Sequence, residues 1–126
     1  QPNMEDAEAI SQHFLKSEPQ SWADTFKTNV AAVFYMSMTF LPLLAKGKDV
    51  TPGYTSSVIN VSSISGYMKG SSNGQFAYAS SKAAATHLSR MLATTFASTK
   101  VRVNTIAPGV FPSEVCNHAP VTMLGY

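Results

Sequence analysis

"SVINVSS", residues 57–63, is a short apolar run bounded by polar residues, the pattern of a parallel strand buried on both faces. The segments after it set its place in a fold. "ISGYMKGSSNGQ", residues 64–75, has the composition of a loop. From about Gln75 to Ser98 the pattern turns helical, with Ala84, Leu88, Met91, Leu92 and Phe96 near a 3.6-residue spacing and no Gly or Pro inside. "KVRVNTIAPG", residues 100–109, is a second β-branched strand that ends at Pro108 and Gly109. Strand, helix and strand make a βαβ unit with a right-handed crossover. The class is therefore α/β with a parallel sheet, and functional loops belong after Val61 and after Ile106, beyond the carboxyl ends of the strands.

Upstream lies a long helix. Ser21 and Asp24 have the spacing of a capping box, with Pro19 just outside it. Trp22, Phe26, Val30 and Val33 step by four, four and three as one buried stripe, and Phe34, Tyr35, Met38 and Leu41 carry apolar surface round the cylinder. Pro42 predicts a bend, and "KGKDVTPGYTSS" (46–57) then interrupts regular structure. The stretch 29–47 is apolar but holds Asn29, Ser37, Thr39 and Pro42, which fits a buried amphipathic helix better than a membrane span.

With 126 residues, 44% hydrophobic and 13% charged, the chain reads as one compact unit with a real core. Five of its seven acids fall within residues 1–24, and residues 1–18 read as a solvated lead-in. A net charge of +2 with no run of Lys and Arg argues against a nucleic-acid partner. Cys116 stands alone, His13, His87 and His118 are scattered, and no leader pattern opens the chain. These features speak against a metal site and for a cytoplasmic setting. Cys116 and His118 carry no nucleophile signature. Asn60-Val61-Ser62 matches the N-glycosylation pattern, but a buried strand is no place for a glycan.

The chemistry concentrates in "QFAYASSKAA", residues 75–84. Tyr78 and Lys82 are four apart and share one helix face. A free phenol titrates near ~10. A cation held beside it favours the phenolate, and a helix start acts in the same direction. Tyrosine then becomes usable as an acid or base near neutral pH. By itself the spacing also fits a chance pair on a surface helix. Ser62 and Ser63, at the end of the first strand, bring hydroxyls close by, Ser63 as a donor to a substrate oxygen; serines there also serve simply to satisfy backbone groups.

"NVSSISG", "YASSK" and "VRVNTIAPGVFPSE", in that order, resemble the short-chain dehydrogenase/reductase family, and the wording of the last resembles fungal members. The resemblance runs from about Ser21 to Glu114. It implies a partial Rossmann-type, doubly wound parallel sheet and a catalytic set of Ser63, Tyr78, Lys82 and Asn29, the last from "FKTNVAAVF". It implies NADP or NAD as cofactor, held by Tyr78, Lys82, Pro108, Gly109, Val110 and Ser113. Ser113 keeps a hydroxyl where the family commonly has threonine. Tyr78 is expected to move the proton of a carbonyl or secondary alcohol substrate, and Lys82 to assist it and hold the nicotinamide ribose. Ser63 is expected to position the substrate oxygen, and Asn29 to hold a water leading to Lys82. The long helices bearing Asn29 and Tyr78 are expected to pair with a second subunit as a homo-oligomer.

Two family features do not occur here. No glycine-rich dinucleotide loop and no "NNAG" segment lie within the 126 residues. The chain thus reads as the catalytic half of a reductase, lacking the N-terminal dinucleotide-binding strands, and is expected not to turn over by itself. Ser63 and Tyr78 are fifteen apart, about two more than is usual in the family, which places an addition in "MKGSSNG" at the substrate mouth. The alternative is a non-enzymatic module that associates through an open sheet edge and its apolar helices.

Overall fold

A computed structural model of the protein describes residues 1–110. Along the chain run α1 (Ala7–Phe14), α2 (Pro19–Phe26), a wide π-type turn (Lys27–Ala31), α3 (Ala32–Ala45) and α4 (Gly47–Val50). Then come β1 (Ser57–Val61), a short 3-10 turn (Ile64–Gly66), α5 (Phe76–Phe96), a second 3-10 turn (Ala97–Thr99) and β2 (Arg102–Ile106). The strands pair in parallel, from Ser57 opposite Arg102 to Val61 opposite Ile106, with α5 as the crossover. This is the expected βαβ unit.

Side chains alternate between the faces of a strand. Val58 of β1 and its register partner Val103 point to the same side, where Leu92 and Phe96 of α5 and Val101 complete a small core. Met38, Leu41 and Leu44 of α3 pack against it. Burial of both faces of β1 is not observed: Ile59, Val61 and Ile106, on the side away from α5, are 53–62% exposed. α5 and α3 both add to the Val58 side, so a single face of the pair carries the core.

Several local expectations are corrected. α1 occupies part of the stretch read as a lead-in; Asp6 caps it by accepting from the backbone N–H of Glu8 and Ala9 at 2.9 and 3.2 Å. The Ser21–Asp24 capping box does not form, because Pro19, with its φ already set for a helix, starts α2 two residues earlier. Asp24 instead accepts from Gln20 Nε2 at 3.0 Å. Trp22 is not part of a buried stripe, while Phe26, Val30 and Val33 are half-buried. The helix also continues past Pro42 to Ala45 and resumes to Val50. By length and composition alone, the run Pro19–Val50 is long and apolar enough to cross a membrane. Little of it is buried within the chain: Tyr35, Met36, Phe40 and Leu43 are exposed.

On α5 the covered face is shifted from the one read off the large apolar residues. Ser81, Ala85, Ser89, Leu92 and Phe96 are buried, together with Thr86, while Met91 is exposed. The spacing of four, four, three and four is helical, but its first half is built from small residues. Their hydroxyls do not stay unpaired: Ser89 Oγ donates to the Ala85 carbonyl at 2.8 Å, and Ser81 Oγ to that of Tyr78 at 2.8 Å. Lys100, in a left-handed conformation at φ 62°, closes the second 3-10 turn and redirects the chain into β2.

Candidate active site

The site residues gather where β1 ends against the first half of α5. Lys82 Nζ lies 5.8 Å from the centre of the Tyr78 ring and donates to the Val61 carbonyl at 3.1 Å. The cation is thus fixed between the phenol's ring and the last residue of the strand. The backbone of Lys82 is held as well: its carbonyl accepts from Ser62 Oγ at 2.8 Å and is 3.0 Å from Thr86 Oγ1. Thr86 Oγ1 is also 2.8 Å from Ser62 Oγ, and its one hydrogen serves either acceptor. Ser62 therefore clamps the strand to the helix, a role its place in the sequence does not disclose.

Ser63 comes next with its side chain buried, at the start of the 3-10 turn, where Oγ accepts from Ser65 N at 3.2 Å. Among the described residues its hydroxyl hydrogen has no acceptor, so Ser63 is free to donate. Gly66 lets this turn press on α5: a Cβ built there would lie 2.7 Å from Ala83 N and 2.8 Å from the carbonyl carbon of Lys82. Only the glycine hydrogen fits that gap.

The loop after β2 is laced to the loop after β1. Ser62 N donates to the Ile106 carbonyl at 2.8 Å, and Ile64 N to the Pro108 carbonyl at 2.9 Å. Pro108 is thereby set beside the Ser63 turn. A Cβ built on Gly109 meets nothing within 4 Å, and Val110 is exposed. Ser113, Cys116 and His118 lie outside the described residues.

Asn29 sits in the π-type turn, where an extra residue widens the helix. Its Nδ2 donates to Ser81 Oγ at 2.9 Å. Asn29 therefore reaches the Tyr78–Lys82 stretch of α5 through Ser81, which is fully buried and precedes Lys82. Ser81 does not stand out in the sequence; the signal for it is the small-residue stripe of α5. Asn60 of the glycosylation pattern has its Nδ2 on Ser89 Oγ at 2.8 Å, so that amide is engaged inside the fold.

Chemically, the arrangement provides a phenol, a fixed ammonium group and a free serine hydroxyl around one strand end. Such a set can bind an oxygen and exchange a proton with it.

Comparison with known proteins identifies the family. A family model described as short chain dehydrogenase matches residues 7–121. The short-chain dehydrogenase/reductase PhomF of Diaporthe leptostromiformis is 36% identical over 98 residues, covering 78% of this chain and 33% of that protein. The rhamnolipids biosynthesis 3-oxoacyl-[acyl-carrier-protein] reductase of Pseudomonas aeruginosa is 38% identical over 105 residues, covering 82% of this chain and 40% of that protein. Among solved structures, the Pseudomonas aeruginosa RhlG/NADP active-site complex superposes with a TM-score of 0.71 at 37% identity, over 82% of this chain and 40% of that one. The chain thus spans about a third to two-fifths of the length of these relatives.

Proposed function

The chain belongs to the short-chain dehydrogenase family, and from that premise we propose that it supplies the proton-transfer half of an NAD(P)-dependent oxidoreductase interconverting a carbonyl and a secondary alcohol. The observation that carries the reading is the anchoring of Lys82: its ammonium group faces the Tyr78 ring and is tied to Val61, two residues before Ser63. Tyr78 Oη gives a proton to the carbonyl oxygen in reduction and takes one from the alcohol in oxidation. Ser63 Oγ donates a hydrogen bond to the same oxygen, orienting it and stabilising the charge that develops there. Asn29 acts from the far side of α5, holding the helix at Ser81.

The residues present fit the nicotinamide end of the cofactor. Lys82 Nζ uses one of its three hydrogens on Val61, leaving donors for a ribose hydroxyl, and the backbone at Gly109 is open to close approach. When bound, the dinucleotide supplies the hydride. Its phosphates have no glycine-rich loop to meet within these 126 residues, so the chain alone is proposed not to turn over. The exposed Tyr35, Met36, Phe40 and Leu43 of α3 fit a second copy of the chain. The open β1 edge and the groove of about 430 Å³ beside it, lined by Val33, Met36, Phe40 and Val58, favour a second reading, association without catalysis.

A chimera separates the two readings. Residues 57–110 of this chain replace the matching segment of the Pseudomonas aeruginosa reductase, and NADPH oxidation is followed with a 3-oxoacyl substrate. Turnover that falls at least about 100-fold in Tyr78→Phe supports the reductase reading, as loss of a general acid does. A folded chimera whose rate changes less than tenfold on that substitution refutes it.

A further inference from the structure

A second cleft, of about 480 Å³, has Tyr78 in its lining. Phe14 of α1, Trp22 of α2, and Phe76 and Tyr78 of α5 line it, so four aromatic rings border one space. Lys16 and His13 lie in the same lining, and among the described residues no carboxylate does.

The wall of this cleft is held in a costly conformation. Ser72, Asn73 and Gly74 are consecutive residues with φ of 50°, 60° and 87°, a left-handed run of which two members are not glycine. Strain of this kind persists only where the surroundings enforce it, and it concentrates at ligand clamps. Here Gly74 N donates to Ser71 Oγ at 3.1 Å, and Gln1 Nε2 donates to Asn73 Oδ1. A Cβ on Gly74 would approach Phe14 Cε1 to 3.2 Å, so the glycine brings the loop down onto that ring. Phe14 in turn meets Phe76 edge to face, with centroids 4.9 Å apart at 86°. The loop thus seats against Phe14 and holds an aromatic wall, Phe14 on Phe76, in the cleft that Tyr78 also lines.

We propose that this cleft binds the tail of the substrate, and that the substrate is an aromatic ketone carrying an anionic group. The rings supply stacking surface for a planar group whose carbonyl is presented to Tyr78. Lys16 supplies the counter-charge. The inference rests on the reductase reading for its choice of a carbonyl compound, but ring and charge recognition come from the lining alone.

Trp22 is the one tryptophan of the chain and lines the cleft, so its fluorescence reports binding without cofactor or turnover. The probes are benzoylformate, acetophenone as the ring without the charge, and pyruvate as the charge without the ring. Benzoylformate is expected to quench Trp22 saturably and at least tenfold more tightly than either of the others. Lys16→Glu, an exposed substitution whose folding is checked by circular dichroism, is expected to weaken it fivefold or more. Quenching that rises linearly with concentration, or is the same in Lys16→Glu, overturns the proposal. Saturable, Lys16-dependent quenching beside a chimera with no Tyr78-dependent turnover leaves the cleft standing and removes the reductase reading; the reverse pair of results does the opposite.

Discussion

Replacing Gly66 with alanine tests whether the Ser63 turn is seated on α5 as described. The added Cβ would lie 2.7 Å from Ala83 N, 2.8 Å from the Lys82 carbonyl carbon and 3.1 Å from Ala83 Cα, all backbone atoms of a helix that cannot step aside. Reaching an ordinary 3.4 Å contact requires the turn to withdraw by 0.7 Å, the difference between 3.4 and 2.7. That displacement stretches the 2.8 Å bond from Ser62 Oγ to the Lys82 carbonyl beyond useful length. Overpacking of this kind costs about 1–3 kcal/mol and the lost hydrogen bond about 1 kcal/mol, giving roughly 2–4 kcal/mol. Gly66 does not have a left-handed φ. Without the helix beneath it, alanine there would therefore stabilise the protein by about 0.4–1 kcal/mol through the unfolded chain. The two pictures differ in sign. In urea, with a slope of about 1.5 kcal/mol per M, Gly66→Ala is expected to lower the unfolding midpoint by roughly 2 M. Gly70→Ala is the control, since its Cβ meets nothing within 4 Å; its midpoint is expected to stay within about 0.3 M. A Gly66→Ala midpoint equal to or above that of the parent would show that the turn does not rest on α5, and with it the placement of Ser63 would fall.

Three other contacts carry outcomes of their own. Ser81→Ala leaves the half-buried Asn29 amide without its acceptor, and a double-mutant cycle with Asn29→Ala in urea is expected to give a coupling of about 1 kcal/mol; additive losses would show that the bond contributes nothing. Lys100→Gly relieves a left-handed φ of 62° at the end of the second 3-10 turn and is expected to raise stability by about 0.5–1 kcal/mol, whereas a loss would place Lys100 in a different conformation. If α3 pairs with a second copy, Tyr35→Glu, at a residue 67% exposed in the single chain, is expected to convert the oligomer to monomer in sedimentation velocity without lowering its helix content. An unchanged sedimentation coefficient would move the contact elsewhere.

The parallel βαβ unit was legible in the sequence because each of its elements announces itself locally: β-branched runs at 57–61 and 101–106, and an uninterrupted helical stretch between them. Helical spacing and the strand end singled out Tyr78, Lys82 and Ser63, and the resemblance added Asn29; in the structure Lys82 lies beside the Tyr78 ring and on the Val61 carbonyl, and Asn29 lies on Ser81. What stayed illegible depends on contacts made at a distance. In sequence the face of β1 with Ile59 and Val61 looks the more apolar, yet the face with Val58 and Asn60 is the one covered, because that depends on where α3 and α5 settle. The start of α2 was misplaced because a favourable spacing at Ser21 and Asp24 competed with Pro19, whose fixed φ decides the matter two residues earlier. Reading α5 by its large residues put Met91 inside and left Ser81 and Ser89 unremarked, since hydroxyl residues on a helix normally signal the solvent side.

The burial of those serines points to how the site is made. A helix that carries catalytic groups on one face must be held without freedom to slide or roll, and large side chains on its covered face would keep it away from the strand. Ser81, Ala85 and Ser89 let α5 come close, and hydroxyls on both sides then turn proximity into register: Ser62 and Thr86 around the Lys82 carbonyl, Asn60 on Ser89, Asn29 on Ser81. Each of these bonds is short-ranged, so a rotation of α5 large enough to carry Lys82 away from the Val61 carbonyl would break several together. In the proposed reaction the ammonium group would then be in place before substrate arrives, and no reorganisation would be needed as charge develops on the reacting oxygen. Removing the buried hydroxyls would keep the helix close but loosen this register, which is why loss of proton-transfer competence should exceed loss of stability in a Ser62→Ala, Ser81→Ala, Ser89→Ala triple variant of the chimera.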